Sequence, residues 1–430
     1  MTKVGNRWRD FRGLMLVALL LTGTSCNDLL KVTDPDLLEK DDVAGAKGAD
    51  LLWGGGLLEF SRAFGGSIYG HALIAGFMSD EFHNTGPDGA MRRVDGRDTN
   101  LDNGYLGAAF AFLHRARVAT ENAAGFMEEL NPYDPRIAEM WSLNAYTHLM
   151  LAEDFCSGVP FSSMSLDGEI AFGEPKTTQE MFEDAISRFE TARSHAGGDS
   201  DQEYLARVGL ARALLNLNRY AEAAQAVASV PTGWRYALYY GSANWNSIQF
   251  NSLSRLSLSD EEGGTGLPFR SADDPRLPWV DGGVGSDGQS PLFTQMKFAG
   301  RDSPVPLASG LEARYIQAEA ALAEANVAGF LGFLKEVREA LGMDPVSDPE
   351  TPEGRVDLLF YERGFTLFGE GHRLGDMRRL IRQYGRAPND VFPTGAYHLT
   401  GFFYGEDVNL DLPRSEEDNP HFVGCLDRGA

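Results

Sequence analysis

The sequence predicts a mostly α fold, a superhelix of helical hairpins that carries one irregular, loop-rich lobe. Long stretches repeat apolar residues at three-and-four spacing, which a helix gathers onto one face. Start and stop signals for helices recur between those stretches. Residues 231–309 are instead rich in Gly, Ser, Asp and Pro and show no such stripe, so they need short elements of their own.

The first residues read as an export signal. Lys3, Arg7, Arg9 and Arg12 form a basic start, and Leu14 to Leu21 is an apolar run too short to span a bilayer. Small residues then lead to a cysteine in Leu21-Thr22-Gly23-Thr24-Ser25-Cys26. This resembles a bacterial lipobox, departing from it at Gly23, and the resemblance implies acylation of Cys26 after removal of residues 1–25. Lipid chains would then anchor the protein. Residues 26–40 suit a polar tether, and residues 41–430 a single domain with the lobe inserted at about 231–309. Loss of residues 1–25 takes the formal charge from −24 to −27. Such a field repels phosphate backbones, which argues against nucleic acid as a partner.

In the body, Leu106, Ala109, Leu113, Ala116, Thr120, Ala123, Met127 and Leu130 form one stripe of a long helix that stops at Asn131-Pro132. A second helix is predicted from about Pro135 to Glu153, with Ile137, Trp141, Ala145, His148 and Ala152 on one face. Thr177 and Glu180 have the spacing of a capping box before Phe182, Ala185, Ile186 and Phe189. Tyr204 to Leu217 is apolar on two adjoining faces and should be buried. The run Leu217-Asn218-Arg219-Tyr220-Ala221-Glu222-Ala223-Ala224 resembles the turn of a tetratricopeptide hairpin. Leu311 to Ala325 and Phe330 to Leu341 are further candidate hairpin helices.

Motifs for chemistry are weak. Gly283-Val284-Gly285-Ser286-Asp287-Gly288 has dinucleotide spacing, but Pro278 before it and Pro291 after it deny the strand and helix a phosphate cradle needs. Asp98, Asn100 and Asp102 begin a calcium-loop spacing that Asn103 and Ala109 break. The eight histidines show no zinc pairing, no Gly-x-Ser-x-Gly elbow occurs, and 62 acids make any proposed carboxylate pair uninformative. Catalytic residues, metals and cofactors are therefore none.

The most specific signal is C-terminal. Glu362-Arg363 leads into Glu370-Gly371, Arg373, Asp376 and Arg379, and a tail follows with Pro413, Glu416, Asn419 and Pro420. With the segments Leu151 to Pro160 and Glu312 to Ala320, this resembles the SusD/RagB family of nutrient-uptake outer-membrane lipoproteins. The resemblance implies a tetratricopeptide-like fold and a lipid-anchored protein at the outer membrane facing outside. It also implies an oligosaccharide or peptide ligand and a TonB-dependent, SusC-like outer-membrane barrel as partner. The alternatives are a periplasmic tetratricopeptide scaffold and a secreted hydrolase. The charged motif reads as structural, since paired Glu and Arg around a glycine break fix how two helices cross and no nucleophile accompanies them.

Ligand contact is expected in the lobe, where amphipathic rings can stack on sugars, with Trp245 and Trp279 leading and Tyr239 and Tyr240 behind. Cys156 and Cys425 remain once Cys26 is acylated. An even pair in an exported chain invites a disulfide, with two separate buried thiols as the alternative.

Overall fold

The computed structural model describes residues 45–165, 168–242 and 244–430. The segment read as signal, anchor and tether, Cys26 included, lies outside the described residues. The chain enters through α1 (Gly45–Ser61), which continues as a π-helical turn at Arg62–Gly66. Then come α2 (His71–Met78), β1 (Phe82–Asn84) and α3 (Gly89–Asp95).

The predicted long helix is α4 (Gly104–Leu130), capped by Asn103, whose side chain accepts from the Tyr105 amide at 2.9 Å. Its stripe is buried from Leu106 to Met127, but Leu130 at its last turn is 46% exposed. The second helix, α5 (Arg136–Asp154), departs from the one-sided expectation. Every residue from Ser142 to Asp154 is buried, because other helices cover it on all sides and make it the central rod of the fold.

Two short antiparallel pairs follow, β2 (Val159–Pro160) and β3 (Ser163–Met164) closing on β4 (Ile170–Ala171) and β5 (Pro175–Lys176), with β2 paired to β5 and β3 to β4. The capping box opens α6 (Thr178–His195): Thr177 Oγ1 accepts from the Glu180 amide at 3.2 Å, and Glu180 returns an acceptor to the Thr177 amide at 2.7 Å. α7 (Ser200–Asn216) and α8 (Tyr220–Ala226) form the hairpin read at Leu217–Ala224, with Asn218 in the left-handed conformation the tight turn needs.

The lobe contains β6 (Arg235–Leu238), α9 (Ser247–Ser252), β7 (Leu256–Leu258), β8 (Trp279–Val284), β9 (Pro291–Gln295) and β10 (Val305–Ser309). Its two ends are stitched together by antiparallel pairing of β6 with β10, and its middle is tied to the body by β7 on β1. Gly283–Gly288 forms the turn region of the β8–β9 hairpin and opens no helix. The chain returns to helices in α10 (Gly310–Ala323), α11 (Val327–Ala340), α12 (Pro352–Thr366), α13 (Arg373–Tyr384) and α14 (Pro388–Val391). The result is a mostly α, tetratricopeptide-like array. α4 packs on α1 and α5, α6 on α5 and α7, α10 on α11 and α8, and α13 lies against α5. Among the described residues no helix is long and apolar enough to cross a membrane.

Candidate functional site: an aromatic and arginine-lined cleft

A cleft of about 650 Å³ opens between the lobe and the first helices, lined by Glu59, Arg62, Phe112, Arg115, Trp245, Phe250 and Arg255 among others. Its geometry begins with one asparagine. Asn246 caps α9 by accepting from the Gln249 amide at 3.1 Å, donates its Nδ2 to the Ser303 carbonyl at 2.8 Å, and donates its own amide to the Arg301 carbonyl at 2.8 Å. One buried residue thus fixes both the helix start and the strand-bound segment opposite.

The fixed pieces present two rings. Trp245 precedes the cap and Phe250 lies on α9; their centroids are 5.3 Å apart, and each is 40% exposed. Arg301 lies over both, its guanidinium carbon 4.7 Å from the Trp245 centroid and 5.0 Å from that of Phe250. The far wall comes from the body. Asn244 donates to Ser61 Oγ at 2.6 Å, and its side chain approaches so closely that a Cβ on Gly66 would stand 2.0 Å from Oδ1. Only a glycine at the end of the π turn admits this contact.

The four predicted rings are not gathered at one place. Trp245 lines this cleft, whereas Tyr239, 77% exposed, lines an adjoining one of about 470 Å³ with Leu57, Leu58 and Tyr236; Asn244 borders both. Tyr240 points into the core beside Gly65, where burial pushes its hydroxyl far above the ordinary range. Trp279 is occupied in packing: its indole donates to the Arg270 carbonyl at 3.2 Å and its ring stands edge-on to Phe293 at 5.5 Å. Neither Tyr240 nor Trp279 lines these clefts. Phe250, Arg115, Arg255 and Arg301 escaped the sequence reading. The one signal for them was Asn246 as a cap, which would have placed Trp245 and Phe250 at the mouth of a short helix.

The charged C-terminal motif lies inside the molecule. Arg363 of α12 grips Asp376 of α13 with two hydrogen bonds, 2.7 and 2.8 Å, and Arg379 adds a third at 2.8 Å before turning to Glu319 of α10. Burial alone would raise the Asp376 carboxyl, but the two guanidinium groups outweigh it and hold it down at about 2. Arg373 binds Asp80 beyond α2. Glu362 departs from the expected helix-crossing role: it accepts from Arg276 of the lobe at 2.8 Å and from Arg338 of α11 at 2.8 Å, so it ties the lobe to the superhelix. Glu370 does the same through Lys297 at 2.9 Å. Gly371, at φ +71°, leaves room for His71, and its carbonyl accepts from His71 and Arg212 at 2.9 and 2.7 Å.

In the tail, Pro413 precedes a short 3₁₀ turn that contains half-buried Glu416. Asn419 donates to the Gly173 carbonyl at 3.1 Å, and Pro420 is exposed. Cys156 and Cys425 are bonded through their sulfurs, with Cα atoms 5.8 Å apart. They and Asp411 form the one His/Cys/Asp/Glu grouping dense enough for a metal ion among the described residues, and its sulfurs are already spent on each other.

No protein-family model matches the chain, and no curated protein sequence does. Solved structures do. The surface glycan-binding protein A from Bacteroides uniformis superposes with a TM-score of 0.70 at 12% identity, covering 88% of this chain and 99% of that one. A SusD superfamily protein from Bacteroides thetaiotaomicron VPI-5482 gives 0.67 at 15% identity, covering 89% and 100%. One from Bacteroides vulgatus ATCC 8482 gives 0.62 at 17% identity, covering 90% and 100%. Likeness over nearly the whole of each chain establishes that this chain has the fold that these solved structures share.

Proposed function

We propose that the protein binds carbohydrate at the cell surface and serves nutrient uptake, capturing an oligosaccharide without breaking a bond. The observation that carries this is the open cleft in which Trp245 and Phe250 stand side by side under Arg301. Exposed rings held by a rigid cap suit the C–H faces of sugars, and an opening of this size accommodates several sugar units. A neighbour of the same fold bearing the name surface glycan-binding protein supports the same reading.

The finer parts of the proposal are anchoring and hand-over. Acylation at Cys26 would hold the protein on the outer membrane facing outside, and a TonB-dependent, SusC-like barrel would receive the ligand. Intact-mass measurement of the membrane-extracted protein should show a lipidated cysteine at the N-terminus; an unmodified one rules the anchor out. Co-purification with such a barrel from outer membranes tests the partner.

The cleft is tested by titrating glycans into the purified protein. Trp245→Ala and Phe250→Ala should each weaken binding by about 1 kcal/mol or more, with melting temperature unchanged. Folded variants that bind like the parent would place the site elsewhere.

A further inference from the structure

The charges around the two rings run against the charge of the chain. With 62 acidic residues against 38 basic ones, the surface as a whole repels anions. Among the described residues the exposed arginines are Arg115, Arg219, Arg235, Arg255, Arg301 and Arg414. Arg219 is paired with Glu222, and Arg414 with Asp102 and Glu417. Arg115, Arg235, Arg255 and Arg301 make no ion pair with any described carboxylate. Arg115 and Arg255 line the Trp245 cleft, Arg301 covers its rings, and Arg235 lines the adjoining cleft. The acid of the main cleft, Glu59, is already bound to Arg62 at 3.0 Å.

We propose that the Trp245–Phe250 cleft takes an anionic glycan, one whose carboxylate or sulfate groups pair with Arg115, Arg255 and Arg301. The inference rests on the carbohydrate reading of the same cleft and adds the ligand's charge. Guanidinium groups suit this role because their planar fork of N–H donors matches carboxylate and sulfate oxygens two at a time. Stacking on Trp245 occupies the face of Arg301 and leaves its N–H edge for a ligand. A neutral sugar would need the rings and hydroxyl partners but would leave these cations without a role. An acidic sugar needs rings and cations together, and Trp245, Phe250, Arg115 and Arg255 line one cleft with Arg301 against its rings. The local positive charge also offsets the repulsion an anionic chain would otherwise meet on approach.

The test uses the whole mature protein and paired probes: uronic-acid oligosaccharides with their carboxyl-reduced counterparts, and sulfated oligosaccharides with their desulfated counterparts. The charged member of a pair should bind about ten-fold tighter or better than the neutral one, and its affinity should fall with added salt. Preference in the uronate pair alone assigns a carboxylate, and in the sulfated pair alone a sulfate. Arg115→Gln combined with Arg301→Gln should erase the preference at an unchanged melting temperature. Equal affinity within every pair overturns the charge inference, as does a preference that survives the arginine variants. If neutral sugars then bind and Trp245→Ala abolishes it, the carbohydrate reading stands alone; binding of no probe removes both.

Discussion

Asp376 lies between two guanidinium groups and in contact with no solvent to speak of, which makes its charge a condition of the fold. Its folded carboxyl titrates at about 2 against an ordinary 3.8. The stability it contributes is therefore complete above pH 3.8 and is lost as pH falls through 2. Asp376→Asn should cost about 3 kcal/mol or more at neutral pH, because buried Arg363 loses its counter-charge and Arg379 keeps only Glu319, and the gap from the parent should narrow as pH approaches 2 in denaturant melts. Glu81 has the opposite sign. Burial lifts it from 4.5 to about 8 despite a hydrogen bond from the Gly369 amide at 2.9 Å. Its contribution is intact below pH 4.5 and is lost as pH rises toward 8. Glu81→Gln should raise stability at pH 8 by on the order of 2 kcal/mol and change it little at pH 4; no gain at pH 8 would mean that the carboxyl is not held neutral.

At the scale of elements, the ends of helices were far more legible than their surroundings. The Thr177 box and the Asn131-Pro132 stop could be read directly because caps are local chemistry within a few residues of the chain. The complete burial of α5 could not, since its buried Asn144 is satisfied by Arg117, Thr120 and Arg188, which come from elsewhere in the sequence. The lobe was legible as a region of short elements, but its strand pairing was not, for the same reason. β1 and β7, or β6 and β10, are short strands whose partners lie far apart, so no local period marks them. The site inherits that difficulty: Trp245 stands out as an aromatic in a polar stretch, but Arg115 comes from α4 and Arg301 from the approach to β10. Asn246 connects the two scales. Asn246→Ala should cost about 1 kcal/mol through the lost cap and should weaken ligand binding as well, because Ser303 is released along with α9. A stability loss with binding intact would show that the cap does not position the rings.

For the whole molecule, the glycine-broken charged motif was legible as a pattern, but its reach was not. Through Glu362 and Glu370 it fastens the lobe that carries the cleft to the superhelix. The bond between Cys156 and Cys425 gathers the end of α5 and the tail over a separation of 269 residues. Replacing both by alanine should lower stability by about 4 kcal/mol in guanidinium melts, less whatever the tail's own hydrogen bonds retain.

That bond also has a history in time. If the chain is exported N-terminus first, as proposed, Cys156 would reach the oxidising compartment ahead of a partner 269 residues behind it. The chain's three cysteines leave one competitor during that interval, Cys26. A thiol converted to a lipid thioether cannot attack another sulfur. Acylation at Cys26 would thus act as a protecting group as well as an anchor, leaving Cys156 to find Cys425. Export through a signal that attaches no lipid, with Cys26 retained, should yield a fraction of chains joined between Cys26 and Cys156, detectable by mass spectrometry of non-reduced peptides. The same export with Cys26→Ser should abolish that species and restore the bond to Cys425. Correct pairing in both chains would show that the order of arrival does not matter here.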